Sequence, residues 1–274
     1  MENWRLLPLR TNDGPTNMAI DEAVLQARTE NLVPNTLRLF RWNPSTATIG
    51  RNQSLSTEIN MDAAKTLNID VVRRISGGGA VYHDFNNEIT YSVVSSERDL
   101  KKSFNYLRSE NGDTEEKFFD VDGSYEVIIQ GLMNGLGKIG LKVEQGLIHC
   151  PVMLVDDLKI SGNAQARRKG FILQHGTILL HVDAELMYTV LKAPEGATKS
   201  KMVRSVRAKV TGLYGNEGVK PVSAADFQKT MVESFERKLN IKCKPGALTD
   251  YEKKLVEDYK VKRYSNKDWL NKFP

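Results

Sequence analysis

Apolar residues recur along residues 17–29 with an approximate helical period, and Thr16 or Asn17 is placed to cap that segment. This pattern predicts a helix. Elsewhere in the first hundred residues, β-branched and aromatic residues alternate with polar ones, as is typical of half-buried strands, and Asn43-Pro44 marks a turn. Such strands are predicted at residues 36–42, 47–50, 69–75 and 89–95.

The second half of the chain contains segments with the helical period of apolar residues and segments with the alternating pattern of strands. Residues 124–142 carry apolar residues at helical spacing, which predicts a helix of ordinary length. Further helices are predicted at residues 184–192, 222–239 and 250–259, and strands at residues 154–160 and 170–181. Together these elements predict an α/β (α+β) fold, a mixed and largely antiparallel sheet flanked by helices. Residues 1–216 form the main domain in this interpretation, and residues 217–274 form a small C-terminal helical extension.

Composition narrows the class of protein. With 274 residues, of which 40% are apolar and 27% charged, the chain can bury a full core. Residues 1–22 lack the apolar stretch of a signal peptide, and no segment reaches about eighteen consecutive apolar residues, so a cytoplasmic protein without a membrane partner is expected. The two cysteines, Cys150 and Cys243, lie in no metal-binding spacing, so no structural metal is expected.

The formal charge of +5 and the pI near 9.0 indicate an acidic partner. The excess is spread over many helices and loops rather than gathered into one tail. An acidic protein, a nucleic acid and an anionic nucleotide all fit the charge alone. The basic segments at residues 167–169 and 199–209 contain no aromatic residue, however, and this disfavours a module that binds nucleic acid.

Three consecutive glycines, residues 77–79, follow a predicted strand that ends at Arg73 and Arg74. Without any Cβ in the loop, a carboxylate, thioester or phosphate can approach the backbone N–H groups, and the arginines add positive charge. The spacing matches neither the dinucleotide-binding nor the P-loop motif. The alternative is a strained turn without a ligand. His83, at the start of the next strand, fits a structural role as well as a functional one.

A second group of reactive residues spans residues 150–165. Asp156-Asp157 is predicted to form a two-residue hairpin turn, which would pair Leu154 with Lys159. Cys150 would then lie on the same side of the sheet as Lys159, but about 13 Å away unless the chain before Leu154 curls back.

The role of Cys150 has two interpretations. One is a small buried apolar residue. The other is a nucleophilic thiolate, favoured by His149 and the nearby basic groups.

These segments resemble the lipoate-protein ligase and octanoyltransferase family, within the biotin/lipoate protein ligase superfamily. The similar segments cover nearly the whole chain: NMAIDEA at residues 17–23, RRISGGGAVYHD at 73–84, KISGNAQ at 159–165, QHGTIL at 174–179 and YSNKDW at 264–269. The resemblance implies an α/β fold whose glycine loop lines an acyl tunnel, with residues 1–216 as the catalytic acyl-binding domain.

The family's site residues carry over by motif. The resemblance implies that Lys159 contacts the reacting carbonyl, that Arg73 lies at the tunnel mouth and that His83 supports the loop. The implied walls of the tunnel and of the pocket around the acyl carboxyl end are Gly77, Gly78, Gly79, Ser161, Gly162 and Ala164.

Two branches of the family differ in chemistry. The ligases use ATP and Mg²⁺ and typically carry Asn-Asp where residues 149–152 here read HCPV. They also need either an accessory domain larger than the tail after residue 216 or a separate partner chain. A cysteine-dependent octanoyltransferase branch has its nucleophile in this loop, matching Cys150, although it often has an arginine inside the glycine loop. The sequence favours this transferase: a monomer without a cofactor, with an acidic acyl carrier protein and a lipoyl-domain protein as partners.

Overall fold

The computed structural model describes residues 1–113, 118–148, 150–216 and 219–273, and the side chains of residues 147, 148 and 150 lie outside that description. The strands are β1 (Glu2–Asn12), β2 (Thr36–Trp42), β3 (Thr46–Ile49), β4 (Asp70–Arg73), β5 (Val81–His83), β6 (Glu88–Ser96), β7 (Glu144–Ile148), β8 (Cys150–Val155), β9 (Leu158–Ser161), β10 (Asn163–Arg168), β11 (Phe171–Leu179) and β12 (Ile241–Pro245). The helices are α1 (Gly14–Thr29), α2 (Leu55–Glu58), α3 (Met61–Thr66), α4 (Glu97–Glu110), α5 (Val121–Lys138), α6 (Ala184–Val190), α7 (Lys199–Lys209), α8 (Ala224–Leu239), α9 (Asp250–Tyr259) and α10 (Lys267–Leu270).

A six-stranded sheet organises the fold, in the order β10-β11-β6-β2-β1-β12. The pairs from β10 to β2 are antiparallel, whereas β1 pairs with β2 and β12 in parallel. The predicted mixed, largely antiparallel sheet is therefore confirmed. Two three-stranded sheets, β4-β3-β5 and β7-β8-β9, stand beside it. The glycine loop joins β4 to β5, and the Asp156-Asp157 turn joins β8 to β9.

Both faces of the main sheet carry buried apolar residues, because successive side chains of a strand point to opposite faces. Leu37 and Leu39 of β2 join a cluster that includes Phe104, Leu132 and other buried residues of α4, α5 and α8. Phe40, on the same strand, joins a second cluster formed with α1 and α9. Helices therefore cover the sheet on both sides and hold its strands in fixed register.

Helix α1 begins earlier than its apolar pattern indicates. Asp13 is its N-cap, and the Asp13 side chain accepts a hydrogen bond of 2.7 Å from the Thr16 backbone N–H. The prediction of Thr16 or Asn17 as the cap is therefore wrong. Pro15 occupies the first turn, where a missing N–H costs nothing. Asn17 is instead fully buried inside the helix.

The segment after residue 216 contributes a strand as well as helices. Strand β12 adds a sixth strand beside β1, while α8 packs against α5 and α9 against α1. A buried ion pair of 2.6 Å joins Arg5 of β1 to Glu252 of α9. The division of the chain at residue 216 stays a prediction. No described helix is long and apolar enough to cross a membrane.

Candidate active site

A cavity of about 280 Å³ opens between the glycine loop, the β9–β10 segment and strand β11. This volume is near the lower end of small-ligand sites, which span roughly 300–1,000 Å³. The lining residues are Met18, Trp42, Thr48, Arg74, Gly78, Gly79, Ala80, Val81, His83, Thr90, Lys159, Gly162, Asn163, Ala164, His175, Gly176 and Thr177. The cavity therefore brings together both sequence motifs.

Arg74 holds the glycine loop from inside the cavity wall. Its Nη2 donates hydrogen bonds of 2.7 Å to the carbonyls of both Gly77 and Gly79. Nη1 donates to the backbone carbonyl and hydroxyl of Thr48, and Nε donates to the Ser76 hydroxyl. Burial lowers the pKa of Arg74 to about 10, so the guanidinium is still charged at neutral pH. All five of its N–H groups are used, and the loop carbonyls are fixed in place.

Two carboxylate–histidine–hydroxyl chains converge on Arg74. In the first, Ser76 Oγ accepts from Arg74 Nε, so its own hydrogen points to His175 Nε2 at 2.7 Å. His175 Nδ1 then donates to Asp21 Oδ2 at 3.0 Å. Burial alone would raise the pKa of Asp21, but the Arg38 guanidinium and the hydrogen bond from His175 hold it below its ordinary value. The network assigns the hydrogen of His175 to Nδ1.

The second chain has the same order of groups. Thr48 Oγ1 accepts from Arg74 and lies 3.0 Å from His83 Nε2, while His83 Nδ1 lies 2.7 Å from Glu88 Oε1. The His83 ring also stacks on Trp42, with the ring centroids 4.2 Å apart. His83 therefore lies where it can support the glycine loop, through Thr48 and Arg74, while also lining the cavity.

Arg73 does not lie at the cavity, contrary to the role implied by the resemblance. Its Nη1 donates to the backbone carbonyls of residues 50, 51 and 53, and its Nη2 donates to the Leu270 carbonyl at 2.7 Å. The Trp269 indole donates in return to the Arg73 carbonyl at 2.8 Å. Arg73 thus connects α10 to the turn at residues 50–53. Its neighbour Arg74 lines the cavity.

The lysine hairpin has the predicted register. Asp156 and Asp157 have φ values of 48° and 63°, as a type I′ turn requires, and Leu154 pairs with Lys159. Lys159 is half-buried and lines the cavity. Among the residues that the structure describes, no side chain or carbonyl forms a hydrogen bond or ion pair with its ammonium. This cation is therefore available to a ligand.

The other predicted pocket residues divide into two groups. Gly78, Gly79, Gly162 and Ala164 line the cavity, whereas Gly77 and Ser161 do not. A Cβ at Gly162 would lie 3.6 Å from Lys159 Nζ, so the lysine side chain folds back over this glycine.

The two cysteines lie in different parts of the fold, Cys150 at the start of β8 and Cys243 in β12. Strand β8 begins at Cys150, with its backbone opposite Ile148. The Cys150 side chain and His149 lie outside the described residues, so the nucleophilic role of Cys150 stays a prediction. Cys243 is buried and away from the cavity, and burial raises the pKa of its thiol to about 12. It is therefore unsuited to act as a thiolate.

Sequence reasoning missed Thr48, His175 and the central position of Arg74. The QHGTIL segment contained a usable signal, since it places a histidine and a glycine in the middle of a predicted strand. A Cβ at Gly176 would approach Asn163 Oδ1 and the Gly162 carbonyl to 2.5 Å, so only glycine lets β11 pass this close to the pocket segment.

Comparison with known sequences places this chain among lipoyl protein ligases and octanoyltransferases. The family described as lipoyl protein ligase A/B catalytic domain matches residues 13–236. The chain is 33% identical to octanoyltransferase LipM of Brevibacillus brevis, over 98% of this chain and 99% of that protein. It is 31% identical to octanoyltransferase LipM of Clostridioides difficile, over 99% of this chain and 100% of that protein.

Solved structures give the same fold. One describes an archaeal lipoylation system, a bi-partite lipoate protein ligase and its E2 lipoyl domain from Thermoplasma acidophilum. The similarity has a TM-score of 0.81 with 26% identity, over 100% of this chain and 98% of that chain. A lipoate-protein ligase A bound with ATP is similar with a TM-score of 0.78 and 25% identity, over 99% of each chain.

Proposed function

Because this chain belongs to the lipoyl protein ligase A/B catalytic-domain family, we propose that it transfers an octanoyl or lipoyl group to a lysine of a lipoyl-domain protein. The donor in this proposal is the thioester of an acidic acyl carrier protein. The observation that carries the proposal is a cavity with apolar walls that is also lined by Lys159, whose ammonium has no partner among the described residues. The apolar walls suit a hydrocarbon chain, and the ammonium suits a carbonyl that gains negative charge.

The proposed reaction has two steps, with Cys150 as the nucleophile. Its thiolate attacks the thioester carbonyl, the donor's C–S bond breaks, and the carrier leaves as a thiol after it takes up a proton. The amine of the acceptor lysine then attacks the acyl-enzyme, an amide forms, and the Cys150 thiol is released. Lys159 would stabilise the oxyanion in both steps, a contribution of about 3 kcal/mol for one well-placed donor.

The glycine loop supplies the fixed wall against which the acyl chain lies. Arg74 holds the loop carbonyls, and Gly78 and Gly79 leave space that side chains would fill. Since a thioester already carries the activation for acyl transfer, the proposal requires neither ATP nor Mg²⁺. In this proposal the enzyme is a monomer that acts in the cytoplasm.

The second candidate is an ATP-dependent lipoate-protein ligase, which the similarity to the ATP-bound ligase A favours. In that reaction Lys159 would hold a lipoyl-adenylate, and Cys150 would be part of the pocket wall. The two candidates differ in what the chain needs as substrate.

One experiment separates them. The chain is mixed with an unmodified lipoyl domain and octanoyl carrier protein without nucleotide, or with free lipoate, ATP and Mg²⁺. Acyl transfer in the first mixture, lost in the Cys150→Ala variant, is the expected result. Adenylate formation in the second mixture, with full activity of Cys150→Ala, would instead identify a ligase.

A further inference from the structure

Helix α7 carries a concentration of positive charge that its weak sequence pattern does not reveal. Its eleven residues include five cations and no acid. The formal excess of the whole chain is also +5, so the remaining residues balance to zero. The cations are Lys199, Lys201, Arg204, Arg207 and Lys209, and all five are exposed. The formal net charge of the protein is therefore equal to the charge on helix α7 alone.

Most of this charge is uncompensated. In the described part of the chain, one carboxylate approaches the helix, that of Glu185, which lies 3.4 Å from Arg207 and 3.9 Å from Lys199. Lys201, Arg204 and Lys209 form no ion pair with any described residue. The inward residues Val203 and Met202 attach the helix to the protein, so the cations face outward as a group. Uncompensated surface charge of one sign attracts a partner of the other sign.

The position of the helix connects this charge to the active site. Val210, the C-cap residue of α7, forms a β-bridge with Lys159. The next residue, Thr211, donates a backbone hydrogen bond of 3.0 Å to the Lys159 carbonyl. The basic helix therefore ends at Lys209, one residue before a direct backbone contact with the lysine that lines the cavity.

We propose that the exposed cations of α7 form the docking surface for an acidic face of the lipoyl-domain acceptor. This inference rests on the proposed function and locates its protein partner. The acceptor offers a lysine, whose four-carbon stem is short, so the acceptor's body must touch the enzyme close to the reacting carbonyl. A donor that carries its acyl group on a long flexible arm needs no such contact. Charge close to Lys159 therefore fits the acceptor.

The test is direct binding of an unmodified lipoyl domain to the full chain, measured by calorimetry at low and high salt. Lys201→Glu/Arg204→Glu on α7 is compared with Lys229→Glu/Arg237→Glu on α8, two exposed cations that change the net charge by the same amount. Helix α8 packs against α5, α4, β1 and β12, away from the lysine strand. Acylation of Cys150 by the small thioester S-octanoyl-pantetheine serves as a control for an intact active site.

We expect the α7 variant to raise the Kd of the lipoyl domain about tenfold at low salt, with unchanged acylation by the small thioester. The difference should vanish near 1 M salt, where the Debye length is about 3 Å. The α8 variant should bind as the unaltered chain does. Equal binding by both variants would overturn the docking surface.

Two further outcomes are informative. If phosphatidylglycerol vesicles or duplex DNA bind as tightly as the lipoyl domain, with the same loss in the α7 variant, the surface serves another polyanion and the proposal is wrong. If the lipoyl domain binds through α7 but receives no acyl group from any donor, the docking surface stands and the proposed function fails.

Discussion

The two walls of the cavity differ in how completely their polar groups are bonded. On the glycine-loop side, Arg74 uses all five N–H groups, and two histidines connect its hydroxyl partners to buried carboxylates. On the lysine-hairpin side, the Lys159 ammonium has no partner among the described residues. The arginine is fully bonded, although the buried Glu88 Oε2 has no partner among the described residues. A buried arginine whose donors are all bonded is rigid, whereas an unpaired cation gains its partner from the substrate. The glycine-loop wall therefore fixes the shape of the cavity, and the lysine-hairpin wall carries the group that would interact with the reacting carbonyl.

The same contrast separates two neighbouring arginines. Arg73 and Arg74 are adjacent in sequence, but Arg73 bonds the C-terminal helix and the turn at residues 50–53, while Arg74 bonds the glycine loop from the cavity side. Successive side chains of an extended chain point in opposite directions, and this is why Arg74, directly after β4, reaches the ligand side and Arg73 does not. If the contrast between the walls is correct, substitutions on each side should produce different kinds of loss.

The largest effect is expected on the hairpin side. Lys159→Ala should lower the transfer rate at least about a hundredfold, because one preorganised donor to a developing oxyanion contributes that much. Its melting temperature should be close to that of the unaltered chain, since no described residue pairs with the ammonium. Steady-state kinetics and thermal unfolding measure the two quantities, with the exposed Lys254→Ala on α9 as control. A nearly normal rate would remove Lys159 from the chemistry.

A smaller effect is expected where the glycine wall meets the acyl chain. Gly79 lines the cavity, and a Cβ there meets nothing within 4 Å, so Gly79→Val extends into space that the acyl chain would use. Overpacking of this kind costs about 1–3 kcal/mol, which corresponds to a rise in the donor KM of roughly fivefold to 150-fold.

Gly77→Val is the matched control, because Gly77 also has open space around its Cβ position but does not line the cavity. Gly78 is less suitable for this test. Its φ of 90° and a 3.1 Å approach to Arg74 would strain any side chain regardless of the ligand. Equal KM values for the Gly77 and Gly79 variants would show that the acyl chain lies elsewhere.

The smallest effect on rate is expected from the hydrogen-bonded support of the loop. His175→Ala leaves Asp21 and Ser76 each without one buried partner, which should cost about 1–3 kcal/mol in the free energy of unfolding. The transfer rate should fall less than tenfold, because Arg74 keeps its bonds to Gly77 and Gly79. Chemical denaturation and kinetics measure the two effects. A rate loss as large as that of Lys159→Ala, with unchanged stability, would mean that His175 acts in the reaction itself.

The sequence predicted the features that depend on local periodicity. The Asp156-Asp157 turn and the pairing of Leu154 with Lys159 followed from a two-residue loop between alternating segments, and both are confirmed. The helix at residues 17–29 was also found, although its cap is Asp13 rather than Thr16 or Asn17. A cap is set by a side chain before the periodic segment, so the period alone could not locate it.

Features that depend on distant contacts were missed. Strand β12 forms because β1 provides a free sheet edge, although the paired residues, such as Glu2 and Ile241, are far apart in sequence. No local sequence pattern predicts that pairing. The exchange of roles between Arg73 and Arg74 likewise depends on which face of β4 meets the cavity. Helix α7 was hidden because five cations mask its short apolar stripe.

The chemistry assigned to the hairpin side is tested most directly by trapping the acyl-enzyme. The chain is mixed with octanoyl carrier protein, without acceptor or nucleotide, quenched in acid, and measured by intact mass and peptide mapping. The two-step mechanism predicts one octanoyl group per chain, attached to Cys150, absent in Cys150→Ala and formed far more slowly in Cys150→Ser, because a serine hydroxyl is rarely ionised near pH 7. Transfer that proceeds in Cys150→Ala, or an adduct on another residue such as Ser76, would contradict it.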